Sequence, residues 1–270
     1  MNLSQRYLPA VLMLSLAIVG TDAVAQSIAS RVADVGTGTV WMSYAAKSGV
    51  CGNGRGSISI RDDGGNRSQY NTGSTRQREW EDECEPGPVR VSLDVRRGEV
   101  EDLRAYVGGR WRGSADLDLG TVSPQDASAF LMEVASTAHG DAAKEAIFPA
   151  MIADGVTLWP QLLKLAKDTG RPDEVRKSAV FWVSQAAGDA ATRGLEEIVG
   201  DPTGDREVRK SAVFSLSQRP RNEAVPALIR VAKTNPDPDI RRSAIFWLGQ
   251  TDDDRAVRYF EEVLLGDARP

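Results

Sequence analysis

The stretch Glu174-Val175-Arg176-Lys177-Ser178-Ala179-Val180-Phe181 recurs letter for letter at Glu207–Phe214. Chance does not repeat eight residues in a chain this short, so the segment marks a unit used more than once. Aligning on the alanine that precedes the branched residue and phenylalanine gives Ala146, Ala179, Ala212 and Ala244, at spacings of 33, 33 and 32 residues. Sixteen residues further on, the same register holds Leu162, Leu195, Leu228 and Phe260, and three beyond those Leu165, Ile198, Val231 and Val263. Turn residues separate the two apolar patterns in every copy: Ala153-Asp154-Gly155, Gly188-Asp189, Arg219-Pro220-Arg221-Asn222 and Thr251-Asp252-Asp253-Asp254.

Each unit therefore reads as helix, turn, helix. One such hairpin cannot bury its own apolar face, so neighbours must stack into an α-solenoid. The residues Glu174-Val175-Arg176-Lys177-x-Ala179-x-x-x-Val183, their copy from Glu207 to Leu216, and Asp239-Ile240-Arg241-Arg242-x-Ala244-x-x-x-Leu248-Gly249 resemble HEAT repeats, in particular the short bacterial type related to those of phycobilisome lyases. The resemblance covers roughly residues 140–266. Unit one departs from it, with Ala142-Ala143-Lys144 where Val-Arg-Lys is expected. The resemblance implies a stacking scaffold. It also implies that Arg176, Arg209 and Arg241 form a ladder bonded to turn carboxylates of the following unit, with an anion site as the alternative. Likeness in stacking residues says nothing of chemistry.

On a helical wheel Val175, Ala179, Trp182 and Val183 share one face, which makes them core. Phe148, Phe181, Phe214 and Phe246 hold one equivalent position and fall nearly opposite that face. Lys177, Lys210 and Arg242 each precede their phenylalanine by four residues, which makes the pair neighbours on the helix surface. Two readings follow. The row is a partner-binding stripe of aromatic and basic side chains. Alternatively the phenylalanines wedge between successive first helices, or lie under the rest of the protein, because helix crossing angles turn a nominally outer position inward.

Upstream of the repeats the grammar changes. Val40–Tyr44, Ser57–Ile60 and the alternating Val89, Val91, Leu93 and Val95 read as strands; Arg97-Gly98 turns the chain and Val100–Val107 returns as the second arm of a hairpin. Asp62-Asp63-Gly64-Gly65-Asn66 is a further turn. Cys51 and Cys84 are the two cysteines, and an even pair in an exported chain suggests a disulfide. Ser123-Pro124 supplies an N-cap and a proline at the first helical position, so a helix should run from there to about Ala138. The fold class expected is α+β: a small disulfide-stapled β-rich domain over 35–120, then a solenoid of about four helix hairpins over 121–270.

The chain begins with Arg6, an apolar run from Leu8 to Val19, and Ala23-Val24-Ala25, the pattern of a secretory leader cut after Ala25. That places the protein in the periplasm or outside the cell, with no transmembrane segment after cleavage. The leader holds Arg6 and Asp22, so its loss leaves the formal net charge of −5 unchanged. A mildly acidic chain without a clustered basic face argues against nucleic acid as a partner. The acidic run Glu79–Glu85 lacks the regular oxygen spacing of a calcium loop. His139 is the single histidine and stands at a helix end, and no HExxH, GxSxG or Walker motif is present. Gly52-Asn53-Gly54-Arg55-Gly56 resembles a phosphate loop in composition alone. No catalytic set, metal site or cofactor is expected. The function read from the chain is a non-enzymatic scaffold for a protein or peptide partner. A self-associating structural protein is the second reading. A lyase-like enzyme or small-ligand protein, with a pocket between β domain and solenoid, is the third.

Overall fold

A computed structural model describes residues 21–61, 67–71, 84–185 and 189–266. The leader run Leu8–Val19, the turn at 62–66, the acidic residues 79–83 and Gly188 lie outside the described residues.

Helix α1 (Thr21–Asp34) is followed by eight strands: β1 (Thr37–Tyr44), β2 (Val50–Gly52), β3 (Ser57–Arg61), β4 (Arg67–Asn71), β5 (Glu85–Pro86), β6 (Val89–Arg96), β7 (Glu99–Val107) and β8 (Leu117–Thr121). They form two four-stranded sheets, in the orders β7-β6-β1-β8 and β4-β3-β2-β5. Strand β1 runs antiparallel to β6, with Trp41 opposite Ser92, and parallel to β8. Strict alternation sends Val40, Met42 and Tyr44 of β1 and Val89, Val91, Leu93 and Val95 of β6 into the core. The β6–β7 hairpin turns at Arg97 and Gly98, both at positive φ (55° and 78°), the pairing a two-residue turn of the favoured hand needs. Cys51 of β2 and Cys84 form the disulfide, with Cα atoms 5.2 Å apart.

The outward face of the first sheet is covered by the chain after β7. Trp111 stacks flat on Trp41, ring centroids 4.3 Å apart, and the Arg90 guanidinium lies over its ring at 5.1 Å. Arg90 is buried and donates to the Gly108 carbonyl. A buried cation is thus held by an aromatic face and a backbone oxygen rather than by a carboxylate.

Helix α2 (Pro124–Thr137) starts as the sequence predicts: the Ser123 hydroxyl accepts from the Asp126 N–H at 3.1 Å. His139 lies just beyond it, exposed. Helix α1 packs along α2, with Ile28 and Val32 in the core. The stretch Gln26–Asp34 carries no element in the sequence reading. Its helix is stabilised by α2, a partner about a hundred residues away.

The array follows. Unit one is α3 (Asp141–Glu145), α4 (Ile147–Met151) and α5 (Trp159–Lys167); unit two is α6 (Asp173–Ser184) and α7 (Asp189–Gly200); unit three is α8 (Arg206–Ser217) and α9 (Arg221–Thr234); unit four is α10 (Pro238–Gly249) and α11 (Asp254–Leu265). The first helix of unit one is therefore broken in two. Pro149 has no N–H to return to the Glu145 carbonyl, and the chain tightens at Ala146. Val175, Ala179 and Val183 of α6, and Val208, Ala212 and Leu216 of α8, are buried, as the wheel predicts.

Backbone hydrogen bonds join the sheet to unit one. Ala46 bridges Ala153, Lys47 N–H donates to Ile152 O at 2.9 Å, and Asp154 N–H donates to Ala45 O at 3.0 Å. The buried Tyr44 hydroxyl donates to Pro149 O at 2.8 Å, and burial holds its pKa well above the usual phenol value.

Candidate partner-binding surface

The four phenylalanines do not face uniformly outward, which corrects the wheel reading. Phe148 and Phe214 lie on the side of their first helices that faces the first helix of the next unit. Phe148 is buried, with Trp182 of unit two 5.2 Å away between ring centroids. Phe214 meets Trp247 of unit four at 5.0 Å. Phe181 is half-buried against the core, and the residue equivalent to those tryptophans in unit three is Ser215. Phe246 has no following unit among the described residues and is 57% exposed. The crossing of successive first helices turns the position from outer to interfacial. The row thus starts buried at Phe148, is half-buried at Phe181 and Phe214, and ends exposed at Phe246.

The β-rich part occupies the start of the row. Tyr70 of β4 sets its ring 4.9 Å from Phe148 and 5.2 Å from Trp182, closing a three-ring cluster. Tyr70 is a functional neighbour that sequence reasoning missed. Its one signal is that it is the lone aromatic in the polar run Arg67-Ser68-Gln69-Tyr70-Asn71.

The basic members of the row differ in their partners. Lys210 reaches Glu207 at 3.1 Å and Arg242 reaches Asp239 at 2.7 Å, both on their own helices. Lys177 is half-buried, and its charge helps lower the Asp205 carboxyl at the start of unit three, behind the Val208 N–H as the larger cause. The row is thus aromatic with mostly neutralised cations beside it, rather than strongly basic.

The arginine ladder is buried in two of its three members. Arg176 Nε donates to Ala166 O and Arg209 Nε to Val199 O, each at 3.1 Å, satisfying carbonyls at the end of the preceding helix. Arg209 also reaches forward, to Asp237 at 3.2 Å and to the Asn235 side-chain oxygen at 3.2 Å. The Asp237 carboxyl is held below its usual range, first by the Asp239 N–H and further by Arg206 and Arg209. Arg176 bonds Asp173 of its own unit instead, and Arg241 donates to the carbonyls of Asn235 and Pro236. The ladder's guanidiniums are engaged with the protein's own backbone and carboxylates, which leaves the anion-site alternative without a free cation to use.

Other candidates resolve into structure. Asn53 Oδ1 accepts from the N–H groups of Arg55 and Ser57, so the glycine-rich run is the turn between β2 and β3. Glu85 accepts from the Gly109 N–H at 2.8 Å. Among the described residues no three His, Cys, Asp or Glu side chains are placed to share a metal ion, and no helix is long and apolar enough to cross a membrane.

No curated protein matches the chain. Residues 193–270 match the family model described as HEAT repeats, a span that covers units three and four and the last two thirds of α7. With that match added to the in-register helix pairs and the forward contacts of Phe214 and Arg209, the C-terminal part of this chain is a HEAT-like repeat array.

Proposed function

We propose that the protein is an exported interaction scaffold that binds an extended segment of another protein along the first helices of its array, without catalysing a reaction. The observation that carries this reading is Tyr70. An aromatic side chain delivered by a strand sits on Phe148 and Trp182, and the same row continues past it through the half-buried Phe181, Phe214 and Trp247 to the exposed Phe246. A partner segment that presents aromatic or large apolar side chains would repeat the Tyr70 contact further along. Such anchors dominate interface energetics. HEAT repeats generally serve as protein-interaction elements, which favours the same reading. Export is supported by the leader pattern ending at Ala25 and by the disulfide, which persists in oxidising compartments. Cleavage there would leave Ile28 and Val32 of α1 in place on α2.

The test is capture from the exported proteins of the source cells by immobilised protein, followed by titration with the purified partner. Wild type is compared with the Phe181→Ser, Phe214→Ser double variant, after matching helical signal and melting. Loss of the partner by a folded variant supports the reading. Capture unchanged in the folded variant overturns the row as the binding surface.

A further inference from the structure

Among the described residues, the large hydrophobic side chains that face water all lie on α10 and α11. Their places in the repeat explain why. Val180 and Val213 are fully buried, yet their counterpart Ile245 is exposed. Ile198 and Val231 are buried and their counterpart Val263 is exposed. Val199 and Ala232 are buried, whereas Leu264 is 79% exposed. These are the positions each earlier unit covers with its successor. Unit four thus carries an intact stacking face.

One polar position of that face is left without the contact made earlier in the array. Glu196 of unit two accepts from Arg230 of unit three, at 2.9 and 2.6 Å. Its counterpart Glu261 has no cation among the described residues. Arg242, like Lys210 one unit earlier, reaches a carboxylate of its own helix, and its side chain is 76% exposed. The face therefore presents one outward carboxylate and one outward guanidinium beside an apolar centre.

The other end of the array is closed. Helix α2 packs on α3 and α4, and Arg171 Nη2 donates to the carbonyls of Ala135 and Ala138. A second chain cannot stack head to tail onto that end. Its own open face carries the matching exposed apolar positions.

We propose that the α10–α11 face binds the same face of a second copy of this chain about a two-fold axis, giving a closed dimer. Helix α11 follows α10 after the short turn at 250–253, with Arg242 in the first half of α10 and Glu261 in the second half of α11. A two-fold axis parallel to the helices sets α10 of one copy over α11 of the other. Arg242 then faces the partner's Glu261, and the pair occurs twice. Phe246, Ile245, Val263 and Leu264 fall between the pairs, an apolar centre with a charged rim, as isologous interfaces are built. This inference does not rest on the aromatic row as a partner site, although Phe246 belongs to both.

The test is sedimentation equilibrium of the purified full chain over a wide concentration range. The expected result is a species of two chains that dissociates on dilution. Leu264→Glu with Val263→Ser, both at exposed positions, should abolish the dimer with helical signal and melting unchanged. Arg242→Glu should weaken it several-fold, and adding Glu261→Arg should restore it. A monomer at every concentration overturns the proposal. So does a dimer indifferent to these variants, or an assembly that grows beyond two. Capture by the immobilised Leu264→Glu, Val263→Ser variant separates this result from the partner reading, because the Phe181–Phe214 stretch of the row is left intact.

Discussion

Arg219, just past the end of α8, reaches back into the preceding unit and donates from Nη1 to the carbonyl of Ser184, at the end of α6, at 2.9 Å. Its Nε donates to the Thr192 hydroxyl at 2.9 Å and its Nη2 to Glu223 at 3.0 Å, while Thr192 also bonds Glu223. The Thr192 hydroxyl, and after it Arg219, hold the Glu223 carboxyl below the usual range. One buried guanidinium therefore ties two units together through a backbone oxygen, a hydroxyl and a carboxylate.

Removing that guanidinium strands its partners. Arg219→Met should lower stability by on the order of 3 kcal/mol, read from the urea midpoint, because it leaves a largely buried carboxylate unpaired. Arg219→Met combined with Glu223→Leu should recover part of the loss. A double variant as unstable as the sum of the singles would show that the pair is not coupled.

Ser215 is fully buried and its hydroxyl has no hydrogen-bond partner among the described residues. Ser215→Ala removes an unsatisfied polar atom, so it should leave stability unchanged or raise it by up to about 1 kcal/mol. Thermal melting checks this. A clear drop in melting temperature would mean that the hydroxyl is satisfied in solution.

The Cys51–Cys84 bridge spans 33 residues of sequence. On the chain-entropy model, closing such a loop stabilises by about 3–4 kcal/mol. Cys51→Ser with Cys84→Ser should lower the unfolding midpoint of the strand-rich part by a corresponding amount. Helical signal from the array should survive to higher denaturant than near-ultraviolet signal from Trp41 and Trp111. Coincident loss of both signals would make sheet and array one cooperative unit.

Glu145 stands where α3 meets β7. Partial desolvation there, together with the charge of and hydrogen bond to Asp102, raises its carboxyl from 4.5 to about 7. The folded pKa is raised, so the folded form binds more protons than the unfolded chain between about pH 4.5 and 7. Stability from this group is full below that window and is lost as pH rises through 7. Urea midpoints measured from pH 5 to 8 should fall with rising pH. Glu145→Gln should flatten that slope, and an unchanged slope would assign it to another group.

The sequence shows these features unequally. The period of 33, 33 and 32 residues is legible because stacking demands identical small and apolar residues at Ala179, Ala212 and Ala244. The Ser123 cap and the Arg97-Gly98 turn are legible because they are local. The reading of unit one as a single first helix passed over Pro149, the residue at which that helix is split. The placement of the phenylalanines was legible only as one of two readings, and the wedge between successive first helices is the one the structure bears out. A wheel describes one helix, whereas Phe214 is covered by the crossing angle of the next. The docking of α1 on α2, the seat of Trp111 on Trp41 and the contact of Tyr70 with Trp182 join residues far apart in sequence, and no local pattern encodes them. The end face shows in the sequence as the lack of an obvious polar cap on unit four and as a shift in composition: Val263-Leu264-Leu265 is bulkier than Ile198-Val199-Gly200 at the same places.

The hydrogen bonds that join Ala45, Ala46 and Lys47 to Ile152, Ala153 and Asp154 do for the strands and the array what a ladder does within a sheet. With Tyr44 fastened to Pro149 and Tyr70 wedged on Phe148, the joint has no free swivel. The sheet and unit one should therefore tumble as a single body in solution.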